Sequence, residues 1–386
     1  RLLNQPLSGQ GRFRIRGKEI RDADLSLALG ANSLKAAGNL GQTDDSLRWE
    51  LDAPDLKAFG TGWQGTLAGD GELRGVLDNF RLVMHLNGSE FLLMDRFGAR
   101  KLQADIRFGM APQDRIAVDV KIDDAKLGSG NWKTIRAQVD GMGRSHTLQA
   151  AAQNDMFDLS ARASGGFVSG SLWKGELESL ENRGRLSFVL VDAVPLTVGA
   201  DDFSIRDMVL KLPDGRLTVQ KFVRKGNVIE TSGSAKAVPL AYLLAISPDA
   251  SGSVHTTLKL GADWSVKTGN SLDGQMHLYR ENGDITLMGD NVIQLGLDTL
   301  DVQMQLSGNT VNLDARVQSG KAGNIAVSAM TRLTQQDGSW GVTQNSPLQL
   351  SVHADMPSLA WIAPLTGQPD IELGGALALA VRGSGT

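Results

Sequence analysis

Few residues in this chain are of types and spacings that could do chemistry. Gly60-Thr61-Gly62-Trp63-Gln64-Gly65 carries the glycine spacing of a dinucleotide-binding turn. That turn works only between a parallel strand and a helix N-terminus, where peptide N–H groups meet a pyrophosphate. Here the segment follows a short helical stretch and leads into a strand pattern, so it reads as a flexible loop. The histidines, His85, His146, His255, His277 and His353, stand singly, without the close spacing of metal-binding motifs. His277 lies between Met276 and Leu278 and should face solvent. Adjacent carboxylates occur at Asp44-Asp45, Asp123-Asp124 and Asp201-Asp202, beside expected turns or strand ends. Neighbours on a strand point to opposite faces, so such pairs make poor acid–base partners; a glycosidase site would need carboxylates from separate strands. With no cysteine, thiol catalysis, disulfides and thiolate metal sites are removed. No nucleophile elbow, phosphate loop or zinc-protease motif is present. The sequence assigns no catalytic, cofactor-binding or metal-binding residue.

The elements that would have to position any site come next. The chain has 386 residues, 41% apolar and 21% charged, with a formal net charge of −4. It is neither disordered nor built to grip a polyanion, which argues against nucleic acid as a partner. Glycine supplies 45 residues while Phe, Trp and Tyr together reach 5%, which implies many turns around an aliphatic core. The longest strongly apolar stretch, 237–248, is too short to span a bilayer as a helix. A transmembrane barrel would need aromatic girdles that two tyrosines and seven tryptophans scarcely supply.

The dominant signal is alternation with period two, which puts apolar side chains on one strand face and polar ones on the other. Leu300, Val302, Met304 and Leu306 alternate with polar residues; after Gly308-Asn309 the series resumes as Val311, Leu313, Ala315 and Val317. A two-residue hairpin at Gly308-Asn309 pairs Leu306 with Val311, Met304 with Leu313, Val302 with Ala315 and Leu300 with Val317. By the same reasoning Asp214-Gly215 should pair Leu212 with Leu217 and Leu210 with Val219, and Asn282-Gly283 should pair Leu278 with Leu287. Val118, Val120 and Ile122 form another run. Arg12, Arg14 and Arg16 alternate with Phe13 and Ile15 as a solvated strand face. Trp49, Trp173, Trp264 and Trp340 fall near strand beginnings and read as edge or end-cap packing.

Three segments suggest short helices, each opened by a proline: one follows Pro54, and the others are expected over Val238–Ile246 and Met356–Ala363. They mark module boundaries near 53–68, 237–252 and 355–373 in what otherwise reads as one elongated unit from 1 to 386. On the order of thirty strands fit the chain, and one sheet of that many would run roughly 130–150 Å. Almost no helix is available to cover its apolar face, so the sheet must curl or split, either closing on itself as sandwiches or forming a groove. A curled sheet with an exposed aliphatic lining calls for an apolar filling, and acyl chains fit it.

Several segments together resemble the TamB family, the inner-membrane subunits of the translocation and assembly module of Gram-negative bacteria. Trp173-Lys174-Gly175-Glu176-Leu177, then Leu180-Glu181-Asn182-Arg183-Gly184, is similar to the family's Trp-x-Gly-x-Leu and Leu-x-Asn-x-Gly pattern. Trp264-Ser265-Val266, Leu272-Asp273-Gly274 and Arg280-Glu281-Asn282-Gly283-Asp284 resemble its strand and Arg-x-x-Gly-Asp hairpin. The Pro-opened segments are similar to punctuation in the wider AsmA-like group.

The resemblance implies an all-β fold: a long continuous antiparallel sheet curled into an open, taco-like groove with an apolar interior, interrupted by a few short helices. It implies a non-enzymatic periplasmic role in phospholipid transport or outer-membrane protein assembly. Its expected partners are phospholipid, the outer-membrane barrel subunit TamA and, through an N-terminal anchor, the inner membrane. The anchor and the barrel-facing strand are not found in this sequence, which therefore reads as the conduit alone. The expected groove lining is Val118, Val120, Ile122, Leu210, Leu212, Leu217, Val219, Leu278 and Leu287, together with the hairpin residues Leu300, Val302, Met304, Leu306, Val311, Leu313 and Val317.

Overall fold

The computed structural model describes residues 5–94, 96–109, 111–128, 130–169, 171–245, 254–288, 292–336, 339–363 and 373–385. They are almost entirely antiparallel β-strand, with a 24-stranded sheet at the centre and very little helix. The chain divides into two units, Arg1–Gly184 with Thr197–Gly199, and Arg185–Leu196 with Ala200–Thr386.

In the first unit the strands pair in chain order: β1 (Leu7–Arg16), β2 (Glu19–Leu29), β3 (Asn32–Leu40), β4 (Ser46–Ala53), β5 (Gln64–Val76), β6 (Asn79–Leu93), β7 (Phe97–Gly109), β8 (Arg115–Leu127), β9 (Gly130–Met142), β10 (Ser145–Gln153), β11 (Asp158–Ser169) and β12 (Leu172–Asn182). The sheet curls towards its apolar face. Phe108 on β7 and Phe167 on β11 meet edge to face at 6.0 Å, whereas four flat strand spacings would separate their backbones by about 19 Å. The β7–β8 loop fixes this curl, because Gly143 N–H donates to Asp114 O at 2.8 Å and Phe167 N–H to Gly143 O at 2.8 Å.

A line of irregularities crosses this part of the sheet, with a register shift at Gln64–Thr66 of β5 and kinks in β6 and β8. Glu90 and Asp124 take φ of 47° and 49°, left-handed values that a strand reaches only where it kinks. Across this line the alternation changes phase: Ile122 and then Ala125 of β8 join one apolar cluster, together with Phe91, Ala99 and Trp132 of the neighbouring strands. Leu56, in a 3-10 turn at Leu56–Phe59, is 2% exposed against this cluster. The turn is the first Pro-opened segment, anchored by Asn32, whose side chain bonds both Asp55 O and Asp55 N–H.

The second unit contains β13 (Phe188–Leu190), the first three residues of β14 (Val194–Val198), β15 (Asp202–Lys211), β16 (Arg216–Lys225), β17 (Val228–Pro239), α1 (Leu240–Leu244), β18 (Val254–Thr256), β19 (Lys259–Thr268), β20 (Leu272–Asn282), β21 (Ile285–Leu287), β22 (Ile293–Gln294), β23 (Leu297–Ser307), β24 (Thr310–Ser319), β25 (Gly323–Arg332), β26 (Thr334–Gln336), β27 (Ser339–Gly341), β28 (Leu348–Met356) and β29 (Leu377–Gly385). β18, β21 and β22 form a small separate sheet, and β26 pairs with β27.

Two expected registers are corrected here. Leu212 N–H donates to Gly215 O, closing a four-residue loop around Pro213, so Leu210 pairs with Leu217 and Met208 with Val219. Leu278 pairs with Ala262 and Val302, not with Leu287. Asp284 diverts the chain: its carboxylate accepts from the backbone N–H of Ile285, Gly296 and Leu297, and Leu287 enters the small sheet opposite Val254 and Ile293. The Gly308-Asn309 register stands as expected in all four pairs.

The expected Val238–Ile246 helix is shorter, because Val238 and Pro239 complete β17 and α1 begins at Leu240. Ile246 and 247–252 lie outside the described residues. Met356 ends β28, and bends and turns run from Pro357 to Ile362 where a helix was expected.

Candidate functional site

Strand register turns the alternation into continuous rows. In the first unit Gly9, Leu27, Leu34, Leu51, Gly69 and Leu86 are successive cross-strand neighbours on β1 to β6. The row continues on β7 to β12 as Ala104, Val120, Ala137, Ala150, Ala161 and Leu180. Beside it runs Gly11, Leu25, Ala36, Trp49, Gly71 and Met84, then Ile106, Val118, Val139, Leu148, Ala163 and Leu177. Neither row contains a charged side chain or a hydroxyl. The interleaved row on the other face is polar throughout; its middle reads Lys35, Glu50, Asp70, His85, Asp105 and Asp119.

The second unit repeats the arrangement. Leu190, Leu210, Leu217, Ala235, Ala262 and Leu278 are followed by Val302, Ala315, Val327, Val352 and Val381. The adjacent row is Met208, Val219, Gly233, Trp264 and Met276, then Met304, Leu313, Ala329, Leu350 and Gly383. Met276 and Leu278 remain 46% and 38% exposed, so this face is not closed by the protein itself.

Of the residues singled out from sequence, Val118, Val120, Leu210, Leu217, Val219, Leu278, Val302, Met304 and Leu313 lie in these rows. Leu306 and Val311 flank them as a cross-strand pair. Ile122 belongs to the cluster beyond them, and Leu300 and Val317 pack against the buried Leu258, Leu260 and Leu297 together with Leu240 of α1. Leu212 is buried in its loop and Leu287 in the small sheet, both outside the rows.

Two tryptophans were not legible as row members. Trp49 and Trp264 lie flat over glycines of the next strand: a Cβ on Gly71 would stand 2.7 Å from the Trp49 ring, and one on Gly233 would stand 2.3 Å from the Trp264 ring. The indole Nε1 of Trp264 donates to Thr231 Oγ1 at 3.1 Å. Glycine on the facing strand was the available signal. Trp173 does pack at a strand end, where its Nε1 donates to His146 Nε2 at 2.9 Å.

His85 and His277 belong to the polar face, whereas His146 is buried against Phe167 and Trp173 on the apolar side. His85 Nδ1 lies 2.6 Å from Asp105, and His277 Nε2 lies 2.7 Å from Asp301, whose carboxyl it holds below the usual range. Among the described residues no group of His, Asp and Glu is placed to hold a metal ion. Arg74, with Ser46 and Arg48, draws the Glu72 carboxyl down to about 2 against the penalty of burial. A depressed carboxylate adds stability above its unfolded pKa and loses it as pH falls through the folded one. Glu72→Gln is therefore expected to lower stability at pH 7 by about 1 kcal/mol, after allowance for solvent screening. The gap to wild type should shrink between pH 4.5 and about 2 in thermal melts.

A family model described as TamB, N-terminal domain, matches residues 1–380. No solved structure matches the chain.

Proposed function

The chain belongs to the TamB N-terminal-domain family, whose members are non-catalytic structural and transport proteins with a general role in lipid handling and assembly, and on that premise we propose that its apolar rows carry phospholipid acyl chains. The observation that carries this reading is the unbroken register of uncharged side chains across consecutive strands of each unit. An acyl chain laid along such a row gains about 0.8 kcal/mol for each methylene removed from water. The polar face keeps the same strands hydrated, and the headgroup stays outside the apolar face.

In this reading the protein works in the periplasm between the two membranes of a Gram-negative bacterium, anchored in the inner membrane, and acts with the barrel subunit TamA. The segments near 53–68, 237–252 and 355–373 divide the conduit into modules. Among the described residues no helix is long and apolar enough to cross a membrane.

A second reading is a scaffold that receives outer-membrane strands by main-chain hydrogen bonding to its sheet. Native mass spectrometry after gentle extraction separates the two. Phospholipid bound at stoichiometric amounts supports the conduit, and a copurifying polypeptide with no lipid would replace it with the scaffold.

A further inference from the structure

On the polar face, charges on neighbouring strands are mostly matched: Lys35 stands opposite Glu50 at 3.5 Å and Arg48 opposite Glu72 at 3.3 Å. Like pairs also occur, as at Asp105 and Asp119 or Lys121 and Arg136, but one row sets three cations side by side. Lys211 on β15 is the direct partner of Arg216 on β16, which is the direct partner of Lys236 on β17. Like charges directly opposite one another destabilise a ladder. All three residues are exposed, and among the described residues none is in an ion pair. Asp214, in the loop between Lys211 and Arg216, makes no ion pair with them either.

The row has two further properties. It is the last pair of residues before the loop that Leu212 N–H closes on Gly215 O, so it stands at the margin of the sheet. It also continues into exposed aliphatic residues: Val189 is the partner of Lys211 and is 42% exposed, and Val191 is 46% exposed. Three cations on long flexible stems, flanked by β-branched side chains on a sheet margin, match the chemistry of a bilayer surface. The cations meet phosphates, and the valines meet the boundary between headgroup and acyl chain.

We propose that the Lys211–Arg216–Lys236 row, with Val189 and Val191, docks this part of the chain on an anionic phospholipid surface. The row lies on the face opposite the apolar rows, so the proposal is independent of acyl-chain transport.

The test is flotation of the 386-residue chain with phosphatidylcholine vesicles, with and without about one third phosphatidylglycerol. Wild type should float with the anionic vesicles only, and should be released at about 0.5 M salt, where charges are screened within a few ångströms. Lys211→Gln with Arg216→Gln and Lys236→Gln should lower partitioning about a hundredfold. Lys57→Gln with Lys101→Gln and Lys126→Gln makes the same change in net charge elsewhere and should leave it within about twofold. Circular dichroism melts confirm that both variants fold, and Val189→Ser should weaken binding without altering its salt dependence. Equal flotation of the two triple variants would overturn the proposal. So would salt-insensitive binding to neutral vesicles, or binding of polyglutamate in preference to anionic vesicles.

Discussion

Leu313→Asp should stop lipid passage, and Asp314→Arg, one residue away, should not. Leu313 stands between Met304 and Ala329 in an uncharged row. A carboxylate there keeps its water and breaks the apolar path, or costs several kcal/mol to bury unpaired. Asp314 faces the other way, accepting from Ser328 Oγ at 2.7 Å, and its replacement reverses a charge on the hydrated face. The pair therefore separates position from charge. In cells that depend on the protein, Leu313→Asp should lose function at normal abundance while Asp314→Arg retains it. A photo-crosslinker at position 313 should capture lipid at least about tenfold more than one at 314, because in the proposed conduit only the former side meets acyl chains. Equal capture at both positions would sink the conduit reading.

The second large effect concerns stability. Gly71→Val is expected to cost about 2–3 kcal/mol, because the nearest atoms to a new Cβ all belong to the Trp49 ring at 2.7 Å. The ring must leave its place over the strand, and it then projects from the row it now lines. Trp49→Ala removes the obstacle, so the double variant should recover most of the loss, with a coupling energy of about 1–2 kcal/mol in a double-mutant cycle. Additive losses in chemical denaturation would show that the flat packing of Trp49 on Gly71 contributes nothing.

How far the fold could be read from sequence depended on what each turn contained. Gly308-Asn309 supplied both residues of a two-residue loop, with Asn309 at φ 83°, and the whole register followed. Asp214-Gly215 failed because Pro213 has no N–H to give the ladder, so the loop widened by two residues. Asn282-Gly283 failed because the next residue, Asp284, binds backbone N–H groups from a segment more than ten residues away, a tertiary contact that alternation cannot encode. The kinks were hidden for a related reason. Asp123-Asp124 reads as the end of a strand, yet Asp124 is the kink within β8 that brings Ala125 to the apolar side. The apolar rows were legible wherever a strand ran without a kink, as at Val118 and Val120. The cationic row was hidden, since Lys211, Arg216 and Lys236 become neighbours only once the hairpin register is known.

Pairing in chain order has a consequence for how the molecule is made. In the first unit every ladder joins a strand to the one just before it in sequence, so each contact closes a loop of a few tens of residues at most. Low contact order of this kind favours fast, local folding. A chain emerging from its N-terminus can add one hairpin at a time to an edge already formed, much as repeat proteins grow from any nucleus by neighbour contacts alone. Among the described strands of this unit none waits for a distant partner to be synthesised, and at each moment the growing end offers a single unpaired edge. Pausing or truncation should then leave a shorter ladder of the same kind, not an unfolded chain.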